Sequence, residues 1–112
     1  LVTFWATWCA PCVAELPFVE DLGRRMGPGL SIVTINLDEE PETVAKFLRR
    51  TSWTFPVLLG YDAFQEQASR GIPLSWVVNS RGQVVLQAPG FPTDGTLDWA
   101  AETMAVMKRI GS

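Results

Sequence analysis

Histidine is absent from these 112 residues, and cysteine occurs only twice. A structural zinc site takes about four Cys or His ligands, so zinc here requires a second chain or carboxylate ligands. An iron–sulfur cluster fails the same count. Covalent haem attachment needs His directly after the second cysteine; Val13 stands there. Basic residues are also scarce, nine Lys and Arg against twelve Asp and Glu, for a net charge of −3. No basic patch is visible, which argues against nucleic-acid binding. No apolar run reaches the roughly 18 residues of a membrane-spanning helix, and there are no internal repeats or low-complexity tracts. What remains is ordinary globular composition, 47% hydrophobic and 19% charged. It fits one domain over residues 1–112 with a core of its own. The chain opens directly on an apolar strand, with no Met, signal peptide or polar leader. We therefore expect it to be a piece of a longer protein whose N-terminal strand or hairpin is missing here.

The two cysteines sit at a junction. Leu1 to Trp5 is apolar apart from Thr3 and reads as a strand buried on both faces. From about Pro11 to Met26, Leu16, Val19, Leu22 and Met26 recur at helical spacing. Cys9 and Cys12 lie between strand and helix, two residues apart. A helix N-terminus carries unpaired N–H groups and partial positive charge, which favours a thiolate. Cys9 is expected there, exposed and reactive. Cys12, one helical turn further in, is expected to be buried with its sulfur in reach of Cys9. Ala10-Pro11 suits a helix start, because Pro in the first turn loses no helical hydrogen bond. A purely structural disulfide over so short a loop constrains the unfolded chain little. The favoured reading is a redox-active pair that cycles between dithiol and disulfide.

The stretch Phe4-Trp5-Ala6-Thr7-Trp8-Cys9-Ala10-Pro11-Cys12 resembles the active site of the thioredoxin superfamily. Glu15, Pro17, Ile35-Asn36-Leu37-Asp38 and Gly71-Ile72-Pro73-Leu74-Ser75-Trp76-Val77-Val78-Asn79 are similar to the TlpA/ResA/DsbE branch of extracytoplasmic thiol–disulfide oxidoreductases. The resemblance spans nearly the whole chain. It implies an α/β fold, a thioredoxin-like three-layer α/β/α with a central mixed sheet and an inserted helix–strand–helix segment over residues 41–70. It also implies a cis bond between Ile72 and Pro73, packed against the cysteine pair. Classical thioredoxins carry a buried Asp where Thr3 stands. Thr3 cannot move a proton as that Asp does, and Glu15, one turn after Cys12, is the replacement candidate. A solvated helical Glu is the competing reading.

Along the rest of the chain, Pro17 is expected to kink the first helix, and Gly27-Pro28-Gly29 to stop it. Ser31 to Leu37 reads as a second strand, parallel to the first through a right-handed crossover. Asp38-Glu39-Glu40-Pro41 reads as a solvated helix start with Val44, Phe47 and Leu48 facing inward. Phe55 to Leu59 reads as an edge strand, and Asp62 to Arg70 as a short helix capped by Asp62. The helices at 41–50 and 62–70 are expected on the face or edge opposite the first helix. Leu74 to Asn79 reads as a strand antiparallel to the first, Ser80-Arg81-Gly82-Gln83 as a hairpin turn and Val84 to Ala88 as the return strand. A last helix, about Asp94 to Ile110, shows a core-facing stripe of Leu97, Ala100, Ala101, Met104 and Met107. It is expected to share the first helix's face.

The implied chemistry is thiol–disulfide exchange, probing protein disulfides with Cys9 and resolving with Cys12. Trp8, Ala10, Pro11, Ile72, Pro73 and Gly90 are expected to line the partner groove, with the backbone of Ile72 free to pair with an extended substrate. No metal, flavin or nucleotide is implied. The implied partners are a protein disulfide substrate and an upstream thiol reductant, membrane-embedded in some family members. The implied location is periplasmic or otherwise extracytoplasmic, with anchoring through a segment outside this chain. Cytochrome c maturation is a common task in this branch. Leu74 and Ser75 stand where the DsbE group often has Glu after the cis-proline, so that subgroup is not implied. Two other classes stay open. A thiol peroxidase of the redoxin type places Thr three residues before the reactive Cys, where Ala6 stands here. A non-catalytic binding module would leave Cys9 inert.

Overall fold

The computed structural model describes residues 1–89. Its elements run β1 (Val2–Trp5), α1 (Ala10–Met26), a 3-10 turn (Gly27–Gly29), β2 (Val33–Asn36), α2 (Pro41–Leu48), β3 (Val57–Leu59), α3 (Gln65–Arg70), β4 (Leu74–Val78) and β5 (Val84–Pro89). The described strands form one mixed sheet in the order β3-β2-β1-β4-β5. Strand β1 pairs in parallel with β2 and antiparallel with β4, so it is central, as its apolar sequence requires. Strand β3 lies parallel to β2 at the edge, with Leu58 and Leu59 exposed.

Alternation along β1 assigns its two faces. Phe4 points to one side and packs with Ile35, Leu37 and Leu74. Trp5 points to the other and packs with Leu16, Val19 and Leu22 of α1. Thr3 shares the Trp5 face, opposite Thr34 on β2 and Ser75 on β4. Leu16, Val19 and Leu22 are fully buried, each worth roughly 1.5–3 kcal/mol of transfer free energy. Helix α1 continues through Pro17 to Met26.

Three expectations need correction. Helix α2 packs on the same face as α1, since Phe47 lies against Trp5 with ring centroids 5.5 Å apart. The strand order explains this. Two successive right-handed crossovers stepping the same way, β1 to β2 to β3, place both helices on one face. Among the described residues, the segment entering α3 reaches the opposite face, where the Phe64 ring lies tilted against Phe4 with centroids 5.4 Å apart. Asp62 does not cap α3. Residues 61–63 form a turn closed by the Phe64 N–H on the Gly60 carbonyl at 2.9 Å, and the helix starts only at Gln65. Third, Asp38 is no part of a solvated helix start: it is buried, and α2 begins after it, with Glu40 as N-cap and Pro41 first.

The hairpin between β4 and β5 has a local cause. The Asn79 side-chain oxygen accepts the backbone N–H groups of Arg81 and Gln83, and Gly82 takes the positive φ of 80° that the turn demands. The last expected helix, its apolar stripe and Gly90 lie outside the described residues.

Candidate active site

The β1–α1 junction places the cysteines. Cys9 is the N-cap of α1, and its Sγ accepts the Cys12 backbone N–H at 3.3 Å. This is the orphan donor of a helix start aimed at sulfur. The two cysteines form a disulfide with their Cα atoms 5.2 Å apart. Cys12 is 1% exposed, as expected for the inner residue, but Cys9 is only 6% exposed. The expectation of an exposed Cys9 is corrected: its sulfur is turned inward, bonded to Cys12 and 3.7 Å from the Ile72 carbonyl oxygen.

Around this sulfur the structure gathers most of the residues marked from sequence. The Ile72–Pro73 peptide is cis. Pro73 is buried and Ile72 half-buried, while Trp8, Ala10 and Pro11 are exposed beside Cys9. Trp8 is 67% exposed, directly beside Cys9 in the chain.

Glu15 is not solvated. It is 1% exposed and lies on the sheet side of α1, one turn after Cys12. Ser75 Oγ donates to Glu15 Oε1 at 3.3 Å, and Ser75 Oγ in turn lies 3.0 Å from Thr3 Oγ1. Burial pushes the Glu15 carboxyl up to about 7, against the opposing pull of the Ser75 hydrogen bond. A carboxyl that titrates near neutrality beside a thiol pair can accept and return a proton.

Sequence reading missed two groups. Ser75 escaped because its partner is 60 residues away. The available signal was a hydroxyl at an inward position of an otherwise apolar strand, in register with Thr3. Asp38 reads from the sequence alone as a helix-start acid. Its carboxylate accepts the Thr7 N–H at 2.8 Å, the Thr7 hydroxyl at 2.7 Å and the Asn36 amide at 2.7 Å. It thereby ties the end of β2 to the loop that carries Trp8 and Cys9. Asp38→Ala should cost about 3 kcal/mol in urea unfolding, because it strands buried donors. A loss below about 0.5 kcal/mol, the size of an ordinary surface change, would contradict this role.

A mixed sheet, a disulfide at the N-cap of the helix after its central strand, and the Ile72 carbonyl before a cis-proline facing that disulfide together define a thioredoxin-fold thiol–disulfide site. The chain matches the family described as Redoxin over residues 1–98, and it belongs to that family. It is 30% identical over 96 residues to the thiol-disulfide oxidoreductase ResA of Halalkalibacterium halodurans, covering 83% of this chain and 54% of that protein. The chain thus spans about half the length of the curated relatives it matches. Among solved structures it is similar to a thiol:disulfide interchange protein DsbE from Chlorobium tepidum, with TM-score 0.76, 27% identity and coverage of 97% of this chain and 74% of that one. StoA from Bacillus subtilis gives TM-score 0.70 at 25% identity, over 89% of this chain and 79% of that one.

Proposed function

We propose that this protein reduces protein disulfides outside the cytoplasm through the Cys9/Cys12 pair. The observation that carries the reading is the Cys9 sulfur at the helix N-cap, disulfide-bonded to Cys12 and facing the Ile72 carbonyl. The names of the relatives, thiol-disulfide oxidoreductase and thiol:disulfide interchange protein, support the chemistry. The resemblance of the motif to the TlpA/ResA/DsbE branch supports the location.

The reaction starts from the dithiol. The Cys9 thiolate attacks one sulfur of the substrate disulfide; the other sulfur leaves as a thiolate and takes a proton from solvent. Glu15 accepts the Cys12 proton, and the Cys12 thiolate attacks Cys9 Sγ of the mixed disulfide. The second substrate sulfur leaves and is protonated in turn. The substrate has gained two electrons and two protons, and the enzyme holds the Cys9–Cys12 disulfide. A second dithiol protein re-reduces it, and no metal or organic cofactor takes part. Trp8, Ala10, Pro11, Ile72 and Pro73 form the groove, with the Ile72 backbone pairing to the extended substrate chain.

Trapping tests this reading. Cys12→Ser cannot resolve, so proteins of the extracytoplasmic compartment should accumulate as mixed disulfides on Cys9, released by dithiothreitol. If Cys12→Ser carries no disulfide-linked partner and Cys9 resists alkylation at neutral pH, the chain is a binding module instead. Rapid turnover of hydrogen peroxide, well beyond that of a simple dithiol, would point to a peroxidase.

A further inference from the structure

Thr3 and Ser75 face each other across β1 and β4, on the inward side of two strands that are otherwise apolar there. They are 1% and 7% exposed. A buried hydroxyl costs stability unless it is paired, and a hydrophobic pair would fill the same space without that cost. Their hydrogen bonds have one consistent direction. Glu15 as a carboxylate only accepts, so Ser75 must donate to it. The Ser75 proton is then committed, and the 3.0 Å contact requires Thr3 to donate to Ser75.

We infer that Thr3 and Ser75 are positioning residues: a directed hydroxyl chain, Thr3 to Ser75 to Glu15, that holds the buried carboxylate in its accepting state for the proton of Cys12. The inference rests on the proton-accepting role proposed for Glu15, and it assigns that role's tuning to residues on two other elements. The bond that Ser75 donates to Glu15 stabilises the charged form more than the neutral one, and Thr3 strengthens it, so the chain opposes burial, which favours the neutral form. Without it the carboxyl would be mostly protonated at neutral pH, and a smaller fraction could take a proton. The groups that face Glu15 from β1 and β4 are these two hydroxyls, neither titratable. On its own helix the titratable neighbour one turn back is Cys12. Burial and the Ser75 bond are the causes that move it, and no charged side chain of the described residues is among them.

The chain topology makes a specific prediction about combined variants. The experiment follows the Glu15 carboxyl by carbon NMR as a function of pH in the oxidised protein, where no thiol titrates. In Ser75→Ala the midpoint should rise by about one pH unit, the scale of a hydrogen bond to a charged group. Thr3→Val, which weakens Ser75 as a donor, should raise it by less. Thr3→Val added to Ser75→Ala should change nothing further, because Thr3 reaches Glu15 only through Ser75. Ser75→Thr restores a hydroxyl on a strand-favouring residue and should titrate as the wild type does. In the reduced protein, Ser75→Ala should slow resolution about fivefold at pH 7, as the ionised fraction falls from about one half to about one tenth.

An unmoved midpoint in Ser75→Ala overturns the inference, as does a full additive effect of Thr3→Val in the Ser75→Ala background. If Ser75→Ala does not fold, Thr3→Val carries the test, and an unmoved midpoint there overturns the inference. The two ideas fail separately. A Glu15→Gln variant that still abolishes the pH step, with Ser75→Ala silent, keeps the proton acceptor and removes the chain. A shifted Glu15 midpoint in Ser75→Ala, with Glu15→Gln resolving normally, keeps the chain and removes the acceptor.

Discussion

Cys9→Ser should lower disulfide reductase turnover by more than about a thousandfold, while Cys12→Ser should leave the first attack intact and abolish release. The asymmetry comes from the helix start. Cys9 receives the Cys12 N–H at its sulfur, and its carbonyl accepts Val13 N–H at 3.0 Å, so the reactive atom is held where partial positive charge is greatest. Cys12 is walled in and meets only what Cys9 brings to it. Serine in place of Cys9 keeps the shape but not the anion, since a hydroxyl stays protonated at neutral pH. Alkylation of the reduced protein checks the roles independently. Cys9 should react first; faster labelling of Cys12 contradicts the assignment, and a mixed disulfide trapped by Cys9→Ser but not by Cys12→Ser contradicts the order of attack.

Glu15→Gln should have two effects of opposite kind. The first is kinetic. With its carboxyl pushed up to about 7, Glu15 becomes a competent acceptor as pH rises through that value. Resolution by the wild type should therefore climb through about pH 7. In Glu15→Gln it should fall about a hundredfold at pH 7 and recover only where Cys12 ionises unaided. The second effect is on stability. The folded value lies above the ordinary carboxylate value of 4.5, so the folded state binds the extra proton between 4.5 and about 7. Stability is therefore fully present below 4.5 and is lost as pH rises through about 7, to a total of about 3 kcal/mol. Glu15→Gln stays neutral throughout. It should match the wild type near pH 4 and exceed it by about 3 kcal/mol at pH 8 in urea unfolding. A variant that is slower yet more stable at alkaline pH is the signature of a functional buried charge. A solvated Glu15 would show neither effect.

The strand–helix junction was legible in the sequence because everything that defines it is local. Trp5, Cys9, Pro11 and Cys12 fall within one strand end and one helical turn. The Ile72–Pro73 cis bond was legible only through its resemblance, since the base rate for such bonds is low. The parts that escaped are set by pairing between distant strands. Ser75 becomes a partner of Glu15 only once β4 lies antiparallel to β1, in a register that brings it opposite Thr3. Asp38 reads as a helix-start acid until β2 runs beside β1 and carries it to Thr7. The side chosen by α2 depends on strand order, which periodicity within α2 cannot encode. Cys9 was expected at the surface because helix ends are usually exposed, but here the Ile72 carbonyl closes over its sulfur.

The central claim is that this pair donates electrons to disulfides rather than withdrawing them from thiols. Strong oxidants of the superfamily owe their poise to additional stabilisation of the reactive thiolate. Here Pro11 and Ala10 stand between the cysteines and add no charge, so the helix terminus acts alone. The direct test is the equilibrium between the protein and glutathione or dithiothreitol buffers, followed by the fluorescence of Trp5 and Trp8. The account predicts a reduction potential of roughly −200 to −270 mV, toward the thioredoxin end of the range. A value above about −150 mV would contradict it and assign the protein to oxidation.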